Sequence, residues 1–160
     1  MKCDCLNPRT IFNILLVFGI FLANSASAAF VISSEQSCYG ADTYSYYISE
    51  TALLSDYTVK VSSTASLPDI TMVLVSDPRQ ADLIFIDSYS RSDMKVCKSA
   101  SSMGNKSIKV SETALLPDIT VKLSVTAVLP DYRIFIESKV FTKAEAAALF
   151  AVILKANKEQ

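Results

Sequence analysis

The chain of 160 residues contains no histidine and no tryptophan, and only three glycines and four cysteines. Without histidine, the commonest general base and metal ligand is missing. Gly19, Gly40 and Gly104 lie too far apart to form a phosphate-cradling loop. Only Cys38 and Cys97 follow residue 28, and two thiols without histidine do not make a zinc site. A serine nucleophile would have only lysine or a carboxylate as its base. The sharpest catalytic candidate left is the carboxylate pair Asp87 and Glu137, each just after an apolar run, although exposed strand ends explain the same placement. The composition points away from an enzyme and implies no cofactor. Fifteen cations against sixteen anions leave no electrostatic footprint for nucleic acid.

What is present is repetition. SETALLPDITVKLSVTAVLPDYRIFIES, Ser111 to Ser138, is a near copy of SETALLSDYTVKVSSTASLPDITMVLVS, Ser49 to Ser76. Within each copy the unit is shorter. Asp42, Asp56, Asp69, Asp82, Asp93, Asp118 and Asp131 each open an apolar run, at steps of 14, 13, 13, 11, 25 and 13 residues. The step of 25 reads as two units, with Gly104-Asn105-Lys106 where an aspartate is missing.

After each aspartate the pattern alternates. Ile119, Val121 and Leu123 share one face and Thr120 and Lys122 the other, while Tyr57, Val59 and Val61 oppose Thr58 and Lys60. That is the period of a strand. Asp82 opens LIFI, apolar on both faces, as a central strand would be. Pro68, Pro117 and Pro130 precede aspartates as turn signals. A unit of about 13 residues has room for one strand and one turn. The expectation is a mainly β fold of about seven short strands in a compact two-layer structure.

Residues 1–28 have the marks of a secretory signal peptide. Lys2 and Arg9 precede an apolar core from Ile11 to Ala23, and Ala26-Ser27-Ala28 fits a small-residue cleavage site. The apolar core is short for a span, which needs roughly 20 residues; a retained anchor is the competing reading. Cleavage leaves 29–160 as a single exported domain without a permanent membrane anchor, periplasmic or secreted, with 13 cations against 15 anions. In an oxidising compartment, Cys38 and Cys97 form an even pair. They could be one disulfide tying the N-terminal segment to the fifth strand, or two separate thiols.

Tyr44, Tyr46 and Tyr47 cluster in the first full unit. Such a cluster is a candidate platform for a ligand or an extracellular or periplasmic protein partner, and also ordinary strand packing. The aspartate ladder invites a calcium reading, but calcium-binding β-rolls need glycine-rich turns that this chain lacks; aspartate as a turn residue bonding the backbone is favoured, and no metal site is assigned. Beyond Val140 the period changes. Thr142 and Glu145 form a capping box, and Ala146, Leu149, Phe150, Ile153 and Leu154 follow at helical spacing. A helix over 143–157 is expected to cover one face or open end of the β structure.

From Asp42 to Val140 the chain resembles an uncharacterised bacterial family of short tandem strand repeats with a Gly-Asn interruption near the middle. Gln80-Ala81-Asp82-Leu83 and Gly104-Asn105-Lys106 carry the likeness. Leu-Pro-Asp replaces Gln-Ala-Asp in several units, and the family's aromatic after Gly-Asn is absent. The fold attributed to that family is a torus knot with seven crossings, so the resemblance implies a knotted β structure and no known activity. The residues themselves point to a non-catalytic exported structural or interaction protein, with a binding module built on the tyrosine-rich units as the alternative.

Overall fold

The computed structural model describes residues 29–38, 46–48, 54–89, 91–100 and 106–158. Among them are nine strands: β1 (Phe30–Cys38), β2 (Tyr46–Ile48), β3 (Tyr57–Ser62), β4 (Ile70–Leu74), β5 (Leu83–Asp87), β6 (Met94–Ala100), β7 (Lys106–Ser111), β8 (Ile119–Ser124) and β9 (Tyr132–Glu137). A single turn of 3₁₀-helix, Pro78–Gln80, precedes β5, and one helix, α1 (Lys143–Lys158), ends the fold. The alternation forms strands as expected: Ile119 and Val121 of β8 are buried, as are Val59 and Val61 of β3, while Thr120, Lys122, Thr58 and Lys60 are only half-buried.

The strand count and the layering both differ from expectation. Seven aspartates suggest about seven strands; beyond these are β7, which opens at Lys106 in the step that lacks an aspartate, and β1, whose start Phe30 to Ile32 reads in the sequence as a first edge strand. β1 is no edge, because it pairs with β5 on one side and β6 on the other. Every strand has two neighbours, all parallel, in one closed barrel ordered β1-β5-β9-β4-β8-β3-β7-β2-β6 rather than two layers.

That order steps by two. Each strand lies two places from the strand before it in sequence, so the chain circles the barrel twice and the second circuit interleaves with the first. The long repeat explains the interleaving. Its copies are 62 residues apart, close to the 60-residue spacing that pairs Val59 with Ile119 and Met72 with Tyr132. Each copied strand therefore lies beside its own copy. The two-residue difference is a stagger between neighbours, and a stagger of two keeps the inward side chains inward.

The helix does not cover a face or an end. Every residue from Ala146 to Ile153 is buried, on all sides of α1. It packs against β8, β3, β7 and β9, and Phe150 meets Phe85 of β5 edge-on at 6.0 Å between ring centres. A helix buried all round lies inside the structure, and here it fills the barrel's lumen. Its first turn lies near the ends of β6 and β9, where Lys98 bonds both Val140 and Glu145, and Lys155 in its last turn reaches the carbonyl of Asp118 before β8. The helix thus runs against the strand direction. Thr142 and Glu145 cap it reciprocally, with Glu145 N–H donating to Thr142 Oγ1 at 3.2 Å and Thr142 N–H to Glu145 Oε2 at 2.7 Å.

With the lumen full, the connections between parallel strands return along the outside. Those over 63–69, 112–118 and 125–131 have seven residues each. Seven residues reach about 25 Å at most, against about 20 Å for a six-residue strand. They run as a series of turns and bends, each over the strand that lies between the two it joins.

Val121, wholly buried, tests this register. Val121→Ala should lower stability by about 1–3 kcal/mol through lost burial and a cavity, and Lys122→Ala, one residue along on the outer face, by less than about 0.5 kcal/mol. Chemical denaturation of both variants checks it; equal losses would place the two side chains in the same environment.

Candidate functional site

The stagger decides what the aspartates do. Asp42 lies outside the described residues; each of the other six lies just before its strand, level with the second residue of the neighbouring strand. There it meets both polar groups of that residue's backbone. Asp118 N–H donates to the Thr58 carbonyl at 2.8 Å, and Thr58 N–H donates to Asp118 Oδ2 at 2.6 Å. Asp131 holds Thr71 in the same way, Asp69 holds Thr120, Asp82 holds Arg133 and Asp93 holds Val31. Asp56 accepts from the N–H and hydroxyl of Ser107, both at 2.7 Å. The carboxylate acts as a carbonyl one residue ahead of the ladder, so the clamps continue strand pairing past the strand ends.

The surroundings hold several of these carboxyls charged. The Ser107 N–H and then its hydroxyl keep Asp56 below the ordinary carboxylate value. The Arg133 guanidinium, 3.1 Å away, does the same for Asp82. For Asp87, burial works the other way but is outweighed by the hydroxyls of Ser138 and Ser34 and the backbone amides of Lys139 and Val140. Ser138 Oγ donates to Asp87 at 2.6 Å and Lys139 N–H at 2.5 Å. Glu137, its suggested catalytic companion, is exposed on β9 and shares no hydrogen bond with Asp87. No group of three or more potential metal ligands occurs among the described residues.

The tyrosine cluster is divided. Tyr44 lies outside the described residues; Tyr46 is buried and Tyr47, the next residue, is half-buried. Tyr46 instead joins Tyr57, Met94 and Lys106, from the starts of β3, β6 and β7, with Ile153, Ala156 and Asn157 of α1. Together they line a depression of about 370 Å³ at the mouth of the barrel. The Lys106 ammonium sits 5.5 Å from the centre of the Tyr57 ring. Burial pushes the Tyr46 hydroxyl above its ordinary pKa, Tyr57 adds to the rise, and Lys106 opposes it. Tyr57 and Lys106 belong to other units and are brought here only by the pairing of β2 and β3 with β7.

The side chains of Cys38 and Cys97 lie outside the described residues. The backbone register sets Cys97 beside Glu35 and Cys38 beside Ala100, three residues out of step. Three residues span about 10 Å of strand, whereas bridged cysteines keep their Cα atoms within about 7 Å. The described backbone register does not set the two residues opposite one another.

A third feature had only an indirect signal in the sequence, leucines before Pro-Asp and outside the alternation. Leu54, Leu67, Leu115, Leu116, Val128 and Leu129 are large apolar residues standing almost wholly in solvent, Leu115 at 95%. They belong to connections passing outside β7, β8, β3 and β4, which are consecutive around the barrel. The connection over 75–82, outside β9, carries Asp77, Arg79 and Gln80 instead, and between β5 and β6 the exposed Tyr89 stands with Arg91 and Asp93. The chain matches no family model, no curated protein and no solved structure.

Two measurements check the aspartates. Asp118→Ala leaves Thr58 N–H unpaired and should cost about 1 kcal/mol, whereas Asp118→Asn keeps an acceptor oxygen and should recover most of it; equal losses would mean that the bond contributes nothing. The second is pH dependence. Asp56, Asp82 and Asp87 titrate lower folded than unfolded, so the folded chain binds fewer protons in the acid range. Their contribution is complete above the ordinary carboxylate range, about pH 4, and is lost as pH falls below it. The denaturation midpoint should therefore be lower at pH 3 than at pH 6, and Asp56→Asn with Asp82→Asn should reduce the difference.

Proposed function

We propose that the chain is a non-catalytic exported protein that works by interaction, a rigid barrel presenting its outer connections to a partner. The observation that carries this is the exposed leucine set on one side of a barrel whose lumen is filled. The described aspartates of the repeat are turned to backbone amides and have a structural reason to be present. The leader composition supports export, with the mature chain beginning at Ala29.

One observation favours a second reading. The depression at the barrel mouth gathers Tyr46, Tyr57 and Lys106, which suits a small ligand better than a broad partner. A finer reading of the fold belongs here as well. We infer that the path is knotted, as in the family it resembles. The double circuit, the connections outside and the chain's end drawn through the lumen support a torus winding.

The test is a gene replacement that separates chemistry from contact. In cells lacking the native gene, Asp87→Asn with Glu137→Gln should restore the phenotype fully, because neither carboxylate acts on a substrate. Serine at Leu54, Leu67, Leu115, Leu116 and Leu129 should abolish it with the far-ultraviolet spectrum unchanged. Loss of the phenotype in the folded carboxylate variant, with the serine variant active, would contradict the reading.

A further inference from the structure

We propose that the depression at the barrel mouth binds a small organic carboxylate with an apolar body, the carboxylate at Lys106 and Tyr46 and the body against Met94 and the last turn of α1. The assignment rests on the small-ligand reading above, not on the exposed leucines.

The site is part of the first inward layer of the barrel. Tyr46, Tyr57, Met94 and Lys106 are the first residues of β2, β3, β6 and β7, which follow one another around the barrel as β3-β7-β2-β6. Each stands two places before a buried residue, Ile48, Val59, Val96 or Ile108, so each belongs to the row that faces the lumen. On β1, β4, β5, β8 and β9 the same first inward position is held by Phe30, Ile70, Leu83, Ile119 and Tyr132. Among the described strands, Lys106 is the charged member of this layer. α1 supplies the floor with Ile153, Ala156 and Asn157, which share one helix face at spacings of three and four.

Two polar groups there lack partners. The Lys106 ammonium rests against the Tyr57 ring and has no ion pair or hydrogen bond among the described residues. Asp56, whose charge Lys106 helps to hold, is committed to the N–H and hydroxyl of Ser107. Tyr46 is only 7% exposed, yet its hydroxyl has no hydrogen-bond partner among the described residues. A buried tyrosine ordinarily finds one. The oxygen is not sealed from water, and the space that its residue lines is the depression. Burial holds this hydroxyl protonated, so it remains a donor. A lysine stem reaching for water would explain Lys106 alone; it leaves the Tyr46 hydroxyl unexplained.

The lining decides the ligand's class. It holds one cation, two phenols and one amide, and no carboxylate. One positive charge with neutral donors suits a single negative charge. A phosphate would find neither an arginine nor a helix N-terminus, because α1 presents its C-terminal end here. That end is the negative end of the helix dipole, and Lys155 and Lys158 in the last turn offset it. Met94, Ile153 and Ala156 give the apolar surface for a body of one ring or a short chain.

The test is nuclear magnetic resonance of the methyl groups of the full chain, titrated separately with phenylacetate, octanoate, 2-phenylacetamide and inorganic phosphate. At least one of the two carboxylates should shift Met94 and Ile153 saturably and leave Val121 in place. For phenylacetate, the amide should bind about tenfold more weakly or less, and phosphate should move neither methyl. Lys106→Gln should weaken carboxylate binding about tenfold and Tyr46→Phe about threefold, with Val121 unshifted as the sign of an intact barrel. The probe comparison uses the wild type, so it decides even where a variant fails to fold. An amide that binds as tightly as phenylacetate, phosphate that binds more tightly than either carboxylate, or carboxylate binding unchanged in folded Lys106→Gln overturns the carboxylate class and upholds a small-ligand mouth. No shift at Met94 or Ile153 with any of the four probes overturns both.

Discussion

Nine strands staggered by two residues enclose more space than their inward side chains fill, and α1 occupies that space. Much of the architecture follows from its presence. The lumen requires an apolar inner wall, which the alternation after each aspartate supplies through Val59, Met72, Phe85, Ile108, Val121 and Ile134. The strands are parallel, so the chain must return after each one, and with the lumen closed it returns outside. The leucines that these returns carry stay in solvent.

The duplication and the barrel have the same period. A repeat of 62 residues is nearly one circuit, so duplication places like strands side by side and offset by two. The offset leaves the backbone of each neighbour's second residue without a ladder partner. A short carboxylate one position before the strand is the right length to supply the missing acceptor, while its own N–H serves as donor. The Arg133–Asp82 ion pair adds a charge to one clamp, although with both partners partly exposed it adds little to stability.

The strands were legible because a period of two survives in short runs, and so was the helix cap, because Thr142 and Glu145 are adjacent partners. The barrel was not. Pairing joins residues between 50 and 62 apart, and no local pattern reports which of several similar units are neighbours. The place of α1 could have been read from Ala146 to Leu154, nine residues without a polar side chain; reading a stripe at 3.6 spacing concealed that the alanines between are equally apolar. The divided tyrosines were misleading for a related reason, since Tyr46 and Tyr47 are adjacent in sequence and therefore face opposite ways in a strand. The leucines before Pro-Asp passed as part of a turn, because nothing local distinguishes a return that is covered from one that is exposed.

Solvent access to α1 tests this account most directly. A water-soluble paramagnetic agent broadens the methyl signals of side chains that reach water. With α1 in the lumen, the methyls of Ala146, Ala147, Ala148 and Ala151 should all be protected to the same degree as those of Val121 and Ile134, while Leu115 and Leu129 broaden strongly. Broadening at Ala147 and Ala151 with protection at Leu149 and Ile153 would show a helix lying against the outside of the sheet, and would contradict the filled barrel.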